Sequence, residues 1–401
     1  MHRLSAVAQA RHAGLSMVAT ALPAVLVLAP PLAAEPWSFG GSLGVESLRY
    51  PDPGPNGGRA VDWLTLGLTA DAGLAPGLAL SLDIETWRDH ARSRIRVDAQ
   101  EATLIWSNEV LEAKLGYDVE SWSILEAAEL NNVLNQTNFE RDILGSSRLG
   151  QPMLRLSLLT EAGWFGAYYL PQSPERRFDP VFGLDGIELL YETVREDREP
   201  GFAGRYQHGI GAVDLQVFFF RGLDNSPAPV IYEGAPRLLY PVIDMAGASA
   251  QWLTGSTYLR AELQSVGGRP DISGRKRDSL SWGLEIEHEL YGVFGMDADL
   301  SLLAAYTANS LGRDSTEPLQ DDLSLGAQLT WNSVASTEIS ILATQDQTWG
   351  SIFGTLSFST RLRDDMNLEI EATDFLDVDP RDVLAPLQDA GHVRVSLTYF
   401  F

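Results

Sequence analysis

The last ten residues of the chain, 392–401, read HVRVSLTYFF. Apolar and polar side chains alternate in this stretch, and successive side chains of a β-strand point to opposite faces of a sheet. One face would carry Val393, Val395, Leu397, Tyr399 and Phe401, and the other His392, Arg394, Ser396 and Thr398. Because the first face suits lipid and the second suits water, the stretch predicts a strand between two different surroundings.

The same alternation recurs along the chain. Leu154, Leu156 and Leu158 alternate with Met153, Arg155 and Ser157, and Leu284 and Ile286 alternate with Glu285 and Glu287. A buried core would not accept these glutamates. The sheet of a soluble protein also has one apolar and one polar face. A single strand therefore does not distinguish a soluble sheet from a membrane barrel, whereas the spacing of repeated strands does.

The repetition predicts about 18 strands in residues 35–401. They lie near 38–50, 60–72, 76–88, 94–106, 110–118, 151–159, 163–171, 201–210, 213–221, 240–253, 256–266, 279–289, 297–308, 322–332, 336–346, 351–362, 366–376 and 391–401. Their connections alternate between long and short from the N-terminus, which is typical of a barrel with tight turns at one rim. A membrane offers no water to backbone polar groups, so such a sheet spans only when closed. The predicted fold is all-β, a single transmembrane antiparallel β-barrel of 16–18 strands, and a strand within 186–194 would spoil its even parity.

The N-terminus has the features of an export signal. Arg3 and Arg11 precede an apolar run over residues 15–28, and small residues follow up to Ala34. This order predicts a signal peptide over residues 1–34 that is cut after Ala34. A membrane anchor is the alternative, but the run is shorter than the ~20 residues that a spanning helix needs.

Composition excludes several classes of function. The chain has 54 acidic and 29 basic residues and a formal charge of −25, so it would repel nucleic acid. It contains no cysteine, which excludes disulfides and thiolate metal sites. A mean hydropathy of −0.06 suits a barrel, in which only alternate residues face lipid. No nucleotide or zinc motif is present, and the sequence predicts no cofactor.

The C-terminal stretch ending in Tyr399, Phe400 and Phe401 resembles the terminal strand of Gram-negative outer-membrane proteins. More diffusely, residues 35–401 resemble porins, including substrate-selective and alginate-export-like types. The resemblance implies that Tyr399 and Phe401 form an assembly signal read by the barrel assembly machinery. It also implies an outer-membrane location among lipid and lipopolysaccharide, passive diffusion of small solutes or ions, and a possible homo-oligomer.

The segment from 118 to 150 interrupts the strand pattern after the fifth strand. General porins place a loop here that folds inward and narrows the pore, so the resemblance implies a constriction. Residues 124–134 have apolar side chains near helical spacing and predict a short amphipathic helix. The candidate constriction residues are Asp118, Glu120, Glu126, Glu129, Glu140, Arg141, Asp142 and Arg148. Their acidic excess would favour cations; the alternative is a surface loop or a folded plug.

A second group of charges lies on the polar faces of the predicted strands. Charges that face lipid cost roughly 2–4 kcal/mol at mid-membrane, so alternation places these side chains in the lumen. The candidate lumen residues are Arg96, Asp98, Arg155, Arg260, Glu262, Glu285, Glu287, Arg361, Glu369, Glu371 and Arg394. They either select a solute or brace the wall through ion pairs.

Aromatic side chains gather near the predicted strand ends, where interface girdles are expected. They are Trp37, Tyr50, Trp63, Trp87, Trp106, Trp164, Tyr168, Trp252, Trp331 and Tyr399. Stacking on sugars is the alternative use of such rings.

Two rival functions remain open. Some outer-membrane barrels hydrolyse lipids with Ser and His, but nothing in the sequence ties Ser310 to His208 or His288, so the sequence predicts no enzyme. A plugged structural or adhesive barrel is the other alternative. Aspartates in loops, such as Asp224 and the pair at 321–322, suit turns or calcium, although they lack the ligand spacing of a known calcium loop.

Overall fold

The structure is a computed structural model that describes residues 37–51, 60–89, 94–178 and 187–401. The predicted signal peptide, residues 1–34, lies outside the described residues. In the described ranges, no helix is long and apolar enough to cross a membrane.

Eighteen antiparallel strands form one sheet. They are β1 (Ser38–Arg49), β2 (Ala60–Ala75), β3 (Leu78–Asp89), β4 (Arg94–Ser107), β5 (Leu111–Asp118), β6 (Gln151–Thr160), β7 (Gly163–Leu170), β9 (Gly201–Ile210), β10 (Val213–Leu223), β13 (Val242–Thr254), β14 (Thr257–Pro270), β15 (Lys276–Leu290), β16 (Ala298–Asn309), β17 (Asp321–Trp331), β18 (Glu338–Asp346), β19 (Ile352–Arg363), β20 (Met366–Asp377) and β21 (His392–Phe400). Each overlaps one of the predicted strands.

The sheet closes on itself between the first strand and the last. β1 pairs with β2 on one side and with β21 on the other, where Ser42 lies opposite Phe400. The closed ring leaves no row of unpaired backbone groups, which is the condition for strands in a hydrocarbon layer. The predicted fold class is therefore confirmed.

The two faces of the wall differ as the alternation predicts. On β15, Leu284 and Ile286 are 54% and 46% exposed, whereas Glu285 and Glu287 between them are 4% and 0% exposed. The same contrast holds on β6 between Leu156 outside and Ser157 inside. The barrel therefore presents an apolar belt outward and polar side chains inward.

Tight turns join strands at one end of the barrel, which we call the short-turn rim. Two residues separate β2 from β3, β9 from β10 and β13 from β14. Gly77 and Gly211 have φ values of 73° and 65°, in the left-handed region that glycine enters without steric cost. The longer connections lie at the opposite end, the long-loop rim.

A small second sheet lies in the long loops. It contains β8 (Glu188–Tyr191), β11 (Ala228–Tyr232) and β12 (Ala235–Tyr240), with β12 parallel to β8. No strand was predicted over residues 228–239, where β11 and most of β12 lie. β8 falls within 186–194, but it belongs to this second sheet and leaves the parity of the barrel even.

The prediction of aromatic girdles is wrong for five of the side chains. Tyr50, Trp63, Trp87 and Tyr168 are at most 9% exposed and lie inside the barrel, and Trp164, which has the same parity as Tyr168, packs against an inner cluster. Their strand parity places them on the inner face, where Tyr50, Trp63 and Trp87 pack with Leu48 and Val61. Exposed aromatic residues on the other parity include Trp106, Trp252 and Tyr399.

Candidate pore constriction

Residues 119–150, which we call the inward segment, leave β5 at Asp118 and fold into the barrel. Trp122, Asn131 and Gln136 in this segment are almost fully buried. Hydrogen bonds join the segment to inner side chains on well-separated strands, such as Glu46 on β1 and Glu262 on β14. The segment therefore crosses the lumen and is held at both sides.

The first half of the segment binds two glutamates of the wall. Glu262 accepts the backbone N–H of Ile124 at 2.6 Å and that of Asn131 at 3.2 Å. Glu285 accepts the N–H groups of Glu126 at 2.9 Å and Ala127 at 3.0 Å. Hydrogen bonds to charged acceptors are stronger than neutral ones, so the two carboxylates anchor this half.

The predicted helix over 124–134 does not form. In a helix the N–H of Asn131 would bond to the carbonyl of Ala127, but here it donates to Glu262. The side chain of Asn132 accepts the N–H groups of Trp122 and Ser123 at 2.6 and 2.9 Å. Bonds to the wall and to a local side chain replace the helical ladder, as Asn side chains do elsewhere.

An aromatic contact reinforces this half. The ring of Trp122 lies 5.2 Å from the rings of Tyr168 and Phe218, and the Arg205 guanidinium lies 5.4 Å from it. Aromatic and cation–π pairs of this geometry each contribute about 0.5–2 kcal/mol. Trp122 thus fixes the start of the segment against β7, β9 and β10.

The second half of the segment is held by Arg141. Its guanidinium donates to Glu46 at 2.8 and 3.1 Å and to Glu85 at 3.1 Å. It also lies over the rings of Trp63 and Trp87, at 5.4 and 5.6 Å. The two glutamates raise the pKa of Arg141 further above its usual range, against the opposing effect of burial.

Two further contacts hold the second half to the wall. Glu140 accepts two hydrogen bonds from Arg96, at 2.9 and 3.1 Å. Ile143 packs with Phe375 and with Leu387 of the 378–391 connection. The segment is therefore tied to β4 and β20 as well as to β1 and β3.

The candidate constriction residues are all close to the inward segment, but most have a partner. Asp118 bonds to Lys114 at 2.6 Å, Glu120 pairs with Arg155, and Glu129 pairs with Arg148. Asp142 accepts the N–H groups of Leu144 and Ser146 within its own turn.

Glu126 differs from the other acidic residues of the segment. Its side chain is 32% exposed and lies 3.9 Å from Arg260. Burial raises the pKa of Glu126 to about 7, with Arg260 opposing the shift and Glu285 and Glu287 adding to it. Glu126 therefore changes charge near neutral pH.

Of the eleven candidate lumen residues, Arg96 and Arg155 pair with Glu140 and Glu120 of the inward segment. The other nine fall into two groups. Arg260, Glu262, Glu285 and Glu287 are at most 4% exposed, with Arg260 2.6 Å from Glu285 and 2.8 Å from Glu287. Such a buried group holds the wall and the inward segment together. Asp98 likewise binds Arg177 at 2.5 Å and the Trp87 indole N–H at 3.2 Å.

The second group lies on β19–β21 and is partly exposed. It consists of Arg361, Glu369, Glu371 and Arg394. Arg394 lies 3.9 Å from Glu371 and donates to the Arg141 carbonyl at 3.0 Å. Glu369 accepts a bond from Asn367 at 3.0 Å.

Comparisons with known proteins found similar chains among solved structures. No family model matches it. No curated protein matches it either. A Salmonella typhi OmpF complex with daunomycin is 9% identical, with a TM-score of 0.49 over 91% of this chain and 97% of that one. A mutant of the Rh. blastica porin is 12% identical, with a TM-score of 0.45 over 91% of this chain and 100% of that one.

Several residues of the site were absent from the sequence-based candidates. Glu46, Glu85 and Arg205 pair with charged residues of the inward segment, and Lys114 pairs with Asp118 at the end of β5. All four lie in predicted strands, on the parity opposite to the outward apolar residues. Parity could have identified them as inward-facing, but no sequence signal pairs them with the segment.

Proposed function

We propose that this barrel is a porin of a Gram-negative outer membrane that lets small hydrophilic solutes or ions diffuse passively. The observation that carries the proposal is a closed 18-strand wall with an apolar outer belt and a charged interior. A barrel of this strand number is wide enough to enclose an aqueous path, and the inward segment would narrow it.

We also propose that the pore prefers cations. The chain has 54 acidic against 29 basic residues, and acidic side chains line both the wall and the inward segment. Carboxylates in a narrow opening with low-dielectric walls attract cations and repel anions. Glu126 would contribute to this preference when it is ionised.

Single-channel recording tests the proposal directly. The refolded barrel, residues 35–401, is placed in a planar bilayer under a potassium chloride gradient. We expect steady current steps and a reversal potential of the sign that cations give. Replacing Glu126 and Glu129 together by Gln should move the reversal potential toward zero. Electrical silence of a correctly folded barrel would refute the passive-diffusion proposal.

A plugged structural or adhesive barrel is the second candidate, because the inward segment bonds to so much of the wall. The same recording separates the two candidates, since a plug predicts silence. Lipid hydrolysis has less support. Ser310 accepts the N–H of Leu280, eight residues from His288 along β15, which is about 26 Å in an extended strand.

The remaining parts of the proposal concern export and assembly. Residues 1–34 would be removed after Ala34, Tyr399 and Phe401 would be read by the barrel assembly machinery, and lipopolysaccharide would surround the outer half. A self-associated form is proposed as well. Mass spectrometry of the mature protein would identify the cleavage point, because a barrel that begins at Glu35 has a defined mass.

A further inference from the structure

Three buried carboxyl groups come together at the long-loop rim. Asp322 on β17 lies directly opposite Asp346 on β18, and the carboxyl group of Asp382, in the 378–391 connection, lies at hydrogen-bonding distance from that of Asp346. The three residues are 0%, 1% and 4% exposed, and we call them the rim carboxyl cluster. Because like charges that face each other on neighbouring strands destabilise a sheet, something must offset their repulsion.

Basic side chains do not offset the charge of this cluster. Within the part of the chain that the structure describes, no arginine, lysine or histidine forms an ion pair with any of its three members. The arginines of the neighbouring connections have other partners: Arg381 pairs with Asp379 at 2.6 Å, and Arg313 lies 5.0 Å from the centre of an indole ring. The adjacent Asp321 accepts a hydrogen bond from the hydroxyl of Tyr306 on β16.

Hydrogen bonds satisfy the cluster only in part. Asp346 accepts the backbone N–H of Trp349 at 3.0 Å and the side-chain amide of Gln320. Oδ1 of Asp322 and Oδ2 of Asp382 are buried and accept no hydrogen bond. A buried carboxylate without a donor is costly, and carboxyl groups that share a site do not all ionise. A proton held within the cluster supplies a missing donor, as in other carboxyl pairs that share one proton.

The connection that contains Asp382 also contacts the inward segment. Its Leu387 is buried and packs in one cluster with Ile143 of that segment. A second bond joins the connection to the turn between β18 and β19, where the N–H of Asp379 donates to the hydroxyl of Ser351 at 3.1 Å. The rim carboxyl cluster therefore lies where the connection meets two wall strands, and Ile143 links the connection to the candidate constriction.

We propose that the rim carboxyl cluster is a proton-dependent latch, in which a shared proton holds the 378–391 connection to β17 and β18. The cluster binds this proton more tightly when it is buried than when it is released into water. The proton therefore stabilises the closed connection at low pH, and this contribution is lost as pH rises. When the proton leaves to solvent, the buried carboxylates repel each other, the connection is released and Ile143 loses its packing. The latch does not depend on conduction by the barrel, so it goes beyond the porin function.

Hydrogen exchange of backbone amides tests the latch in the refolded protein in detergent micelles. The reporting amides are those of Leu387 and Ala390, which donate to the carbonyls of Leu384 and Leu387 at 2.8 and 2.9 Å. Rates are corrected for the intrinsic effect of pH on exchange. We expect these amides to exchange about tenfold faster or more at pH 9 than at pH 6, because loss of the proton opens the connection. Equal corrected rates at the two pH values would overturn the latch.

Variants assign the effect to the cluster. Asp382→Asn keeps the oxygen that accepts the N–H of Leu384 and adds an amide donor that does not titrate, so the connection should stay protected at pH 9. Asp322→Asn repeats the test from β17. Asp389→Asn is the matched control, since Asp389 is an exposed residue of the same connection, and it should keep the parental response to pH. If both cluster variants also keep that response, the proton is held elsewhere and the proposal is wrong.

Chelation distinguishes a shared proton from a metal ion at the same place. A proton latch needs no metal, so the protection of the connection at pH 6 should be the same with and without EDTA. Loss of protection at pH 6 on addition of EDTA, restored by calcium chloride, would show that a divalent cation bridges the carboxylates. That result would overturn the proton latch.

Discussion

Arg141 joins three strands of the barrel, because it binds Glu46 on β1 and Glu85 on β3 and covers the rings of Trp63 on β2 and Trp87 on β3. Its removal would take away the guanidinium that donates two hydrogen bonds to the carboxylate of Glu46, which is 8% exposed. A buried charge that loses its partner destabilises a fold by roughly 3–5 kcal/mol.

We therefore expect Arg141→Ala to lower the free energy of unfolding by about 3–5 kcal/mol, measured by urea titration in lipid vesicles. Arg221→Ala is the matched control. Arg221 also binds a carboxylate, that of Asp244 at 2.6 Å, but both side chains are more than 60% exposed. An exposed pair contributes about 0–1 kcal/mol, so equal losses in the two variants would contradict this view of Arg141.

Glu126 predicts a dependence on pH. Its pKa is raised from 4.5 to about 7, mainly by burial, so the side chain is neutral at pH 5 and charged at pH 9. A raised carboxyl pKa favours the folded state at low pH, and this contribution is lost as pH rises through about 7. Over the same range the ionising carboxylate adds negative charge to the pore.

The cation preference should therefore rise between pH 5 and pH 9, with a midpoint near 7, when the reversal potential is recorded in a fixed salt gradient. Glu126→Gln removes the titrating group and should flatten the curve. If the variant keeps the full pH dependence of the parent, another group is responsible and the role given to Glu126 is wrong.

At the scale of elements, the inward segment depends on the wall for its conformation. Residues 124–134 have helical spacing but form no helix, because Glu262 accepts N–H groups from both ends of this stretch. The segment is thus shaped by a strand that lies about 130 residues further along the chain. Removing that acceptor should loosen the segment without unfolding the barrel.

Glu262→Gln keeps the size of the side chain but loses its charge and one accepting oxygen. Each hydrogen bond to a charged group contributes about 1.5–3 kcal/mol, so we expect the amides of Ile124 and Asn131 to exchange with solvent about tenfold faster or more. Glu289→Gln on β15 is the control, since Glu289 bonds to Tyr291 outside the segment. Unchanged exchange in Glu262→Gln, measured by mass spectrometry or NMR, would show that the segment holds its shape alone.

At the scale of the whole molecule, the strands were predictable and the aromatic placement was only partly so. All 18 barrel strands overlap predicted segments, because alternation is a local consequence of the strand pleat. Trp63 and Trp87 were assigned to a girdle because they lie near strand ends, but their parity places them inside with Arg141. For these two tryptophans, the alternation along the strand predicts the inward orientation, whereas the position near a strand end does not.

By itself, the sequence predicted a barrel of 16–18 strands, the alternation of apolar and polar side chains along each strand, and the acidic excess of the chain. Alternation depends on neighbouring residues, and the charge excess depends on composition. Both can therefore be derived from the sequence without knowledge of the fold. Only the tertiary structure decided that Glu262 and Glu285 bind the inward segment and that most acidic residues of the segment have cationic partners. Closure of the barrel brings these residues together over more than a hundred positions of chain, and no local pattern encodes such a pairing.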